Sequence, residues 1–264
     1  MIDRFEYVSS YFKYLLNKKG KHGIHSPFVF DFITKVLEDR KDYPEYKRLD
    51  KTRHSLLSDT NIIETVDFGS GAKNKEFITF RSSVKHLTKL RSQSIRETRL
   101  LMRIVKYFKP ATILEFGTST GLGTLSLALG NPLAKVITME GCASIASVAE
   151  SQFRRNDIDT IEVIIGNFNN VLHDVLEKVT LLDLVFFDGN HRKIPTLDYF
   201  NHCLAKAGEK SVFIFDDIHW STEMEEAWIE IQQNKSVTLT LDLFHLGIVF
   251  FHKGIEKQHF VLNN

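Results

Sequence analysis

From Ala111 onward, short apolar runs alternate with longer segments in which apolar residues recur at helical spacing. This alternation is typical of βαβ units around a mostly parallel sheet. The predicted strands are Thr112–Phe116, Lys135–Met139, Ile161–Ile165, Leu182–Phe187 and Ser211–Phe215. The predicted helices are Leu122–Leu129, Ala143–Arg155, Asn170–Glu177, Pro195–Ala205 and Thr222–Gln233. Continuously apolar runs such as Leu184–Phe187 indicate a sheet that is buried on both faces.

The end of the chain has a different pattern. Val237–Leu243 alternates between polar and apolar residues, and the apolar segment His245–Phe251 follows with almost no linker. So short a connection permits an antiparallel hairpin and excludes a parallel crossover. The sequence therefore predicts an α/β, Rossmann-like fold with a mostly parallel seven-stranded sheet that ends in a C-terminal antiparallel hairpin.

The first 110 residues lack this regular alternation. Helical spacing is found at Tyr7–Asn17 and Pro27–Glu38, a polar stretch covers residues 39–58, and a long helix is predicted for Ser92–Phe108. One face of that helix is basic and consists of Arg96, Arg99, Arg103 and Lys106. This face is either a solvated surface or a surface for an acidic substrate, RNA or a second subunit. We predict a helical N-terminal lid segment over residues 1–90 and a catalytic domain over residues 91–264.

The composition limits which partners, cross-links and cellular location are expected. The chain has 34 basic and 33 acidic residues, but its first 110 residues hold 23 basic and 13 acidic ones. Cys142 and Cys203 are too few for a disulfide framework and lack the spacing of a zinc site. Neither a signal peptide nor an apolar stretch of membrane-spanning length is recognisable, so a cytoplasmic location is expected.

A glycine loop follows the first predicted strand of the catalytic domain. Gly117 and Gly121 stand where this strand turns into a helix, and glycine there lets the backbone approach a ligand closely. Glu140 ends the next strand, where a carboxylate can accept hydrogen bonds from ribose hydroxyls. Glu115, two residues before the first glycine, would repel a pyrophosphate. A ligand with an amino group and a ribose therefore suits the site better than a dinucleotide does.

In these motifs the chain resembles the class I methyltransferases that use S-adenosylmethionine (SAM). Their acidic residue followed by Gly-x-x-x-Gly matches Glu115, Gly117 and Gly121, and the segment that frames the adenine matches Gly166–Phe168. The resemblance implies cofactor contacts from Glu115, Gly117, Thr118, Ser119, Gly121, Glu140, Gly141, Asn167, Phe168 and Asp188. Phe168 either covers the adenine or is a plain core aromatic. A second glycine-containing segment, Val66–Ala72, lacks the following helix, and we interpret it as a loop that could lie near the active site.

Acidic and histidine residues follow two neighbouring predicted strands. Asp188 and His191 come after Leu182–Phe187, and Asp216, Asp217 and His219 come after Ser211–Phe215. Three carboxylates at one edge would repel each other unless a cation joins them, so Asp188, Asp216 and Asp217 are predicted ligands of Mg²⁺. Alternatively, Asp217 caps the next helix and Asp188 only supports the site. Neutral His191 is the candidate general base, with His219 as a reserve.

The resemblance narrows the reaction to O-methylation. In the catechol and caffeoyl-coenzyme A type, an Asp after the fourth strand and an Asp-Asn pair after the fifth bind a metal, with a Lys as base. This chain has Asp217 in the Asn place and His191 in the Lys place, which is more similar to the macrocin and mycinamicin type. Alternatives are a methyltransferase for RNA or another polyanion, and a non-catalytic SAM-binding module.

The expected partner is a small-molecule acceptor. The basic N-terminal part indicates that this acceptor, or a partner, carries negative charge, and neither a nucleic acid nor a membrane is expected as a partner. A homodimer is one possible assembly. Two histidines, His22 and His25, precede a helix that Ser26 could cap with Pro27 at its first position. In the alternative hypothesis, the same segment folds over the site as a lid.

Overall fold

The computed structural model of the protein describes residues 4–69 and 77–263. The helices are α1 (Arg4–Asn17), α2 (Pro27–Phe32), α3 (Pro44–Ser58), α4 (Val84–Arg91), α5 (Ile95–Phe108), α6 (Leu122–Gly130), α7 (Ala143–Arg155), α8 (Phe168–Glu177), α9 (Lys193–Leu204) and α10 (Thr222–Gln233). The strands are β1 (Ile62–Asp67), β2 (Ile78–Ser83), β3 (Thr112–Phe116), β4 (Lys135–Glu140), β5 (Ile161–Ile165), β6 (Leu182–Phe187), β7 (Ala207–Asp216), β8 (Leu239–Asp242), β9 (Leu246–Phe250) and β10 (Gln258–Val261). None of the helices in this part of the chain combines the length and apolarity that crossing a bilayer requires.

The chain forms two compact units. The terminal unit consists of the described residues up to Leu37 and from Val179 onward, and the central unit consists of the described residues from Glu38 to Lys178. The predicted boundary at residue 90 coincides with neither break. The described residues between 38 and 90 therefore belong to the same compact unit as the glycine loop.

In the central unit, β3, β4 and β5 form a parallel sheet in that order, with Thr112 opposite Lys135 and Val136 opposite Ile161. The bounds of β3 and β5 agree with the prediction. Helix α5 starts at a capping box formed by Ser94 and Glu97, and its apolar side is buried. Each capping residue satisfies a backbone N–H group that the first helical turn would otherwise leave unpaired.

Four elements of the central unit are not predicted by the sequence pattern. Helix α3 forms within the polar stretch, α4 follows β2, and β1 and β2 pair as an antiparallel hairpin with Ile62 opposite Ser83. The N-terminal part is therefore not only helical, which corrects the expected helical segment. Val66–Gly69 of the second glycine-containing segment lie at the end of β1 and just beyond it, and its residues 70–72 lie outside the described residues.

In the terminal unit the strand order is β6-β7-β9-β8-β10. The pair β6 and β7 is parallel, while β9 runs antiparallel to both β7 and β8, which confirms the predicted C-terminal hairpin. Strand β10 pairs in parallel with β8 and adds an eighth strand to the seven that were predicted. Large aromatic side chains fill the core, where Phe187 stacks on Phe215 with ring centroids 4.3 Å apart. The Rossmann-like fold class is confirmed by this strand arrangement and by the structural comparisons given below.

The N-terminal helices belong to the terminal unit. Tyr7, Tyr11 and Tyr14 of α1 pack against Phe244 with ring centroids 5.4, 4.9 and 5.2 Å away. The Ser26 hydroxyl accepts a hydrogen bond from the backbone N–H of Val29, and Pro27 is the first residue of α2. The predicted cap at Ser26 is therefore confirmed, and the lid role of this segment stays a prediction.

Candidate active site

The glycine loop joins β3 to α6, and its backbone adopts positive φ angles, which glycine tolerates best. Gly117 and Gly121 have φ angles of 98° and 90°, and Ser119 between them has a φ of 48°. The backbone N–H groups of Gly117 and Thr118 donate to the carbonyl of Met139. No side chain caps the N-terminus of α6 at Gly121. The first N–H groups of α6 therefore lack a side-chain acceptor, an arrangement that favours binding of an anionic ligand group.

Glu140 stands at the end of β4 and accepts two hydrogen bonds from the backbone. The N–H of Ser119 donates to Oε2 over 2.9 Å, and the N–H of Cys142 donates to Oε1 over 3.0 Å. Burial raises the pKa of Glu140, while these hydrogen bonds and the charge of Arg91 act in the opposite direction. Each carboxylate oxygen keeps a lone pair with which it can accept a ribose hydroxyl.

Glu115 lies in the core of the central unit and is fully buried. The hydroxyls of Thr124 and Thr138 both donate to its Oε2, whereas its Oε1 has no hydrogen-bond partner. Burial raises the pKa of Glu115 to about 7, although the two hydroxyls lower it. A buried acceptor without a partner is rare in folded proteins, and it is a position that a ligand's donor group can satisfy.

Gln93 is a further polar residue at this loop, and the sequence motifs do not indicate it. A Cβ atom on Gly123 would lie 2.9 Å from Oε1 of Gln93 and 3.0 Å from Oε1 of Glu115. The neighbouring Ser92 hydroxyl is 2.8 Å from that of Thr120 in the glycine loop. Only the glycine at position 123 signals this close approach in the sequence.

The predicted adenine frame follows β5. The N–H of Gly166 donates to the carbonyl of Glu140, which sets the ends of β4 and β5 side by side. Asn167 caps α8, since its Oδ1 accepts a hydrogen bond from the N–H of Asn169. Phe168 meets Phe116 edge to face with ring centroids 5.6 Å apart.

Together these features fit the groups of SAM. The central unit offers the uncapped α6 N-terminus for a carboxylate, the partnerless Oε1 of Glu115 for a donor, and Glu140 for ribose hydroxyls. The structure brings all the predicted contacts of this unit to the ends of β3, β4 and β5. The role of each in binding stays a prediction.

In the terminal unit, Asp188 and His191 follow β6 in a strained turn. Asn190 and His191 have φ angles of 71° and 31°, in the left-handed region that non-glycine residues avoid. Nε2 of His191 lies 3.7 Å from Oδ1 of Asp188. Burial lowers the pKa of His191, and the charge of Asp217 acts against this. Strain of this kind clusters at functional sites, where surrounding contacts hold it in place.

Neighbouring side chains hold this turn. Nδ2 of Asn190 donates to the hydroxyl of Tyr199 over 3.2 Å, and Nε of Arg192 donates to Oδ1 of Asn190 over 2.9 Å. Tyr199 is buried, with 2% of its surface exposed, so the surrounding side chains hold its hydroxyl in place. These contacts preset the conformation of the residue that precedes His191.

The two acids after β7 differ in backbone conformation. Asp216 ends the strand, and Asp217 begins a tight turn with a φ of 55° in which its carbonyl accepts from the N–H of Trp220. Among the residues that the structure describes, no three His, Cys, Asp or Glu side chains are grouped closely enough to hold a metal ion. The structure therefore does not assemble Asp188, Asp216 and Asp217 into the predicted Mg²⁺ site.

His219 lies between two carboxylates. Its Nδ1 is 2.9 Å from Oε1 of Glu225, its Nε2 is 2.8 Å from Oδ2 of Asp242, and its ring stacks on Phe244. Burial alone would lower the pKa of His219, but the hydrogen bonds and charges of Asp242 and Glu225 outweigh it and raise the pKa. With both nitrogens engaged, His219 has no free lone pair for an acceptor.

The basic face of α5 is paired with α3. Nη2 of Arg99 is 2.7 Å from Oδ2 of Asp50, and Nζ of Lys106 is 3.5 Å from Oε1 of Glu45. Nη1 of Arg103 donates to the hydroxyl of Tyr46 over 3.2 Å. Three of the four predicted basic residues are thus engaged within the central unit, which leaves little of this face for a polyanion.

Comparison with known protein families and curated proteins agrees with this geometry. Residues 114–218, less than half of the chain, match a family described as a methyltransferase domain. The O-methyltransferase hkm8 of Aspergillus hancockii is 29% identical over 136 residues, which cover 48% of this chain and 52% of that protein. The chain thus spans about half the length of this curated relative.

Two solved structures have the same fold. The O-methyltransferase TomG from Streptomyces achromogenes, in complex with SAM, superposes with a TM-score of 0.57 at 16% identity, covering 80% of this chain and 91% of its own. An O-methyltransferase from Bacillus cereus, in complex with S-adenosylhomocysteine (SAH), gives 0.56 at 17% identity, with coverages of 84% and 96%. Residues 114–218 thus match a methyltransferase domain, and the chain has the Rossmann-like fold of these methyltransferases, as the sequence predicted.

Proposed function

We propose that the protein is a SAM-dependent O-methyltransferase that acts on a small hydroxylated acceptor, with His191 as the general base. The matched methyltransferase domain and the O-methyltransferases of the same fold support this proposal. The features of the central unit that fit SAM support it independently of those comparisons.

The observation that carries the base assignment is the geometry of His191. Its pKa is lowered by burial, so the imidazole is neutral and can accept a proton at neutral pH. Asp188 lies 3.7 Å from Nε2, beyond hydrogen-bond distance but close enough to stabilise the imidazolium that forms. Both residues follow a parallel strand at its carboxyl end, where open α/β sheets bind their ligands.

Methyl transfer from SAM to a hydroxyl requires few further groups from the protein. SAM supplies the methyl group as an electrophile at its sulfonium. The chain's own residues orient the reactants: Glu140 accepts from the ribose, the α6 N-terminus faces the carboxylate, and His191 removes the proton of the acceptor hydroxyl. Alignment of two reactants contributes about 7–11 kcal/mol to barrier lowering in favourable cases, so positioning supplies most of the acceleration.

Metal assistance by Asp188, Asp216 and Asp217 stays a prediction, and no step depends on it here. The acceptor's charge, a homodimer and a cytoplasmic location also stay predictions. The polyanion alternative depended on the basic face of α5, most of which is paired with α3.

Two measurements test the proposal. Calorimetric titration of the protein with SAH should show binding, and methyl transfer from radiolabelled SAM should be detectable on a panel of phenols, catechols and sugars. His191→Gln should lower kcat by about 10²–10⁴-fold and leave the SAH affinity unchanged, because the residue moves a proton and does not bind the cofactor.

His202→Gln is the matched control, since His202 lies on α9 with a side chain that is 53% exposed, and it should keep wild-type kcat. Absence of SAH binding to the wild-type protein would remove the cofactor assignment. Binding without transfer to any acceptor of the panel would favour the non-catalytic SAM-binding module.

A further inference from the structure

The segment at the end of β1 has no role in the function proposed above. Its Phe68 packs directly on Gly141, the residue that follows the ribose acid Glu140. A Cβ atom on Gly141 would lie 2.7 Å from Cδ2 of Phe68, closer than side chains pack. The ring of Phe68 therefore fills the space that a side chain at position 141 would occupy.

The side chain of Asp67 fixes the backbone conformation around Phe68. Its Oδ1 accepts a hydrogen bond from the N–H of Gly69 over 2.8 Å, and its Oδ2 forms a 2.7 Å ion pair with Nη2 of Arg91. The charge of Arg91 also acts on Glu140 and lowers its pKa. Phe68 is thus held in a turn whose ion pair is electrostatically coupled to the predicted ribose ligand.

The β1–β2 hairpin is also docked on the chain immediately after Gly141. The N–H of Val66 donates to Sγ of Cys142 over 3.3 Å, and the hydroxyl of Ser144 donates to the carbonyl of Glu64. Apolar side chains of the hairpin pack with Cys142 and Ile145. These contacts build the hairpin onto the end of β4, so the position of Phe68 does not depend on a loose surface loop.

We propose that Phe68 is an adenosine-contacting residue of the SAM site, supplied by the N-terminal hairpin in place of a side chain at Gly141. The inference rests on the function proposed above, because it takes Glu140 as the ribose ligand. The ring is half-buried, which leaves part of it to contact the nucleoside. Aromatic side chains bind bases through contact with their faces, without reading the hydrogen-bonding edge.

The test is calorimetric titration with SAH and with 5′-deoxy-5′-methylthioadenosine, which has the adenosine but lacks the amino-acid part. Phe68→Ala should weaken both ligands by about tenfold, since the lost contact is to adenosine. Ile62→Ala is the matched control: Ile62 is 62% exposed at the other end of β1, and its substitution should leave both affinities unchanged.

Wild-type affinity for both ligands in a folded Phe68→Ala protein would overturn the inference. If this variant does not fold, Phe68→Leu decides: a clear loss of affinity for both ligands supports the inference, and wild-type affinity overturns it. Failure of the wild-type protein to bind SAH is a different result, because it refutes the function proposed above before any variant is compared.

Discussion

Replacement of Glu115 by Gln should remove a pH dependence from the stability of the protein. The carboxyl group is fully buried, and burial raises its pKa from 4.5 to about 7. The folded protein therefore retains a proton that the unfolded chain releases between these two pH values. Because the folded state binds more protons in this window, the free energy of unfolding falls as the pH rises through it.

The size of the effect follows from the pKa difference. A shift from 4.5 to about 7 corresponds to about 3 kcal/mol of stability that is lost once Glu115 is ionised in both states. Glutamine has nearly the same shape and stays neutral. Its side-chain oxygen can accept from Thr124 and Thr138 as Oε2 of Glu115 does. We therefore expect Glu115→Gln to be close to wild type in stability at acidic pH and more stable at alkaline pH.

The assay is thermal unfolding of the ligand-free protein, followed by circular dichroism between about pH 5 and pH 8. For a chain of this length, the expected gain of the variant over wild type across this range is about 5 °C in Tm. Glu162→Gln on strand β5 of the same sheet is the control, because its side chain is 41% exposed and contacts Lys135 at the surface. A difference between Glu115→Gln and wild type that stays constant across the pH range would refute the burial argument.

Two further substitutions test contacts that the sequence does not reveal. His219→Gln removes the cation that Asp242 and Glu225 share, and thermal unfolding should show a loss of about 2 kcal/mol at pH 6. In the wild-type protein, the stabilisation by protonated His219 is complete below pH 6.5 and is lost as the pH rises through the raised pKa of folded His219. An unchanged Tm of the variant at pH 6 would contradict this role of His219. Gly123→Ala should cost about 1–3 kcal/mol, because the new methyl group meets Gln93 and Glu115. Adding Gln93→Ala should recover part of that loss of stability, as measured by urea unfolding. If the double variant is no more stable than Gly123→Ala, Gln93 is not the residue that restricts the space around position 123.

The elements that the sequence predicts well are those whose signals are local. Strand β3 has its predicted bounds because a short, mostly apolar run ends at Gly117, which takes a positive φ. The same is true of the cap at Ser26, where a hydroxyl and the following proline define the start of α2. In each case, the residues that determine the conformation are next to each other in the chain.

The elements that were missed depend on distant residues. Strand β1 carries polar side chains and is stabilised by its pairing with β2 and by contacts to α7. The carboxylates that hold His219 lie 6 and 23 positions away along the chain. Its position after the fifth predicted strand of the catalytic domain suggested a reserve base, but position in the sequence cannot show which side chains occupy the two ring nitrogens.

Charge distribution is a comparable case. The first 110 residues hold 23 basic and 13 acidic residues, and this excess pointed to an anionic acceptor. In the structure, Arg99 pairs with Asp50, Lys106 with Glu45 and Arg91 with Asp67, all within the central unit. A basic side chain that already contacts a carboxylate contributes little net field to a ligand, because the two opposite charges largely cancel at distances larger than their separation. Each of these pairs joins one basic and one acidic residue of the same segment, so the excess of 23 basic over 13 acidic residues is unchanged and the anionic acceptor stays a prediction.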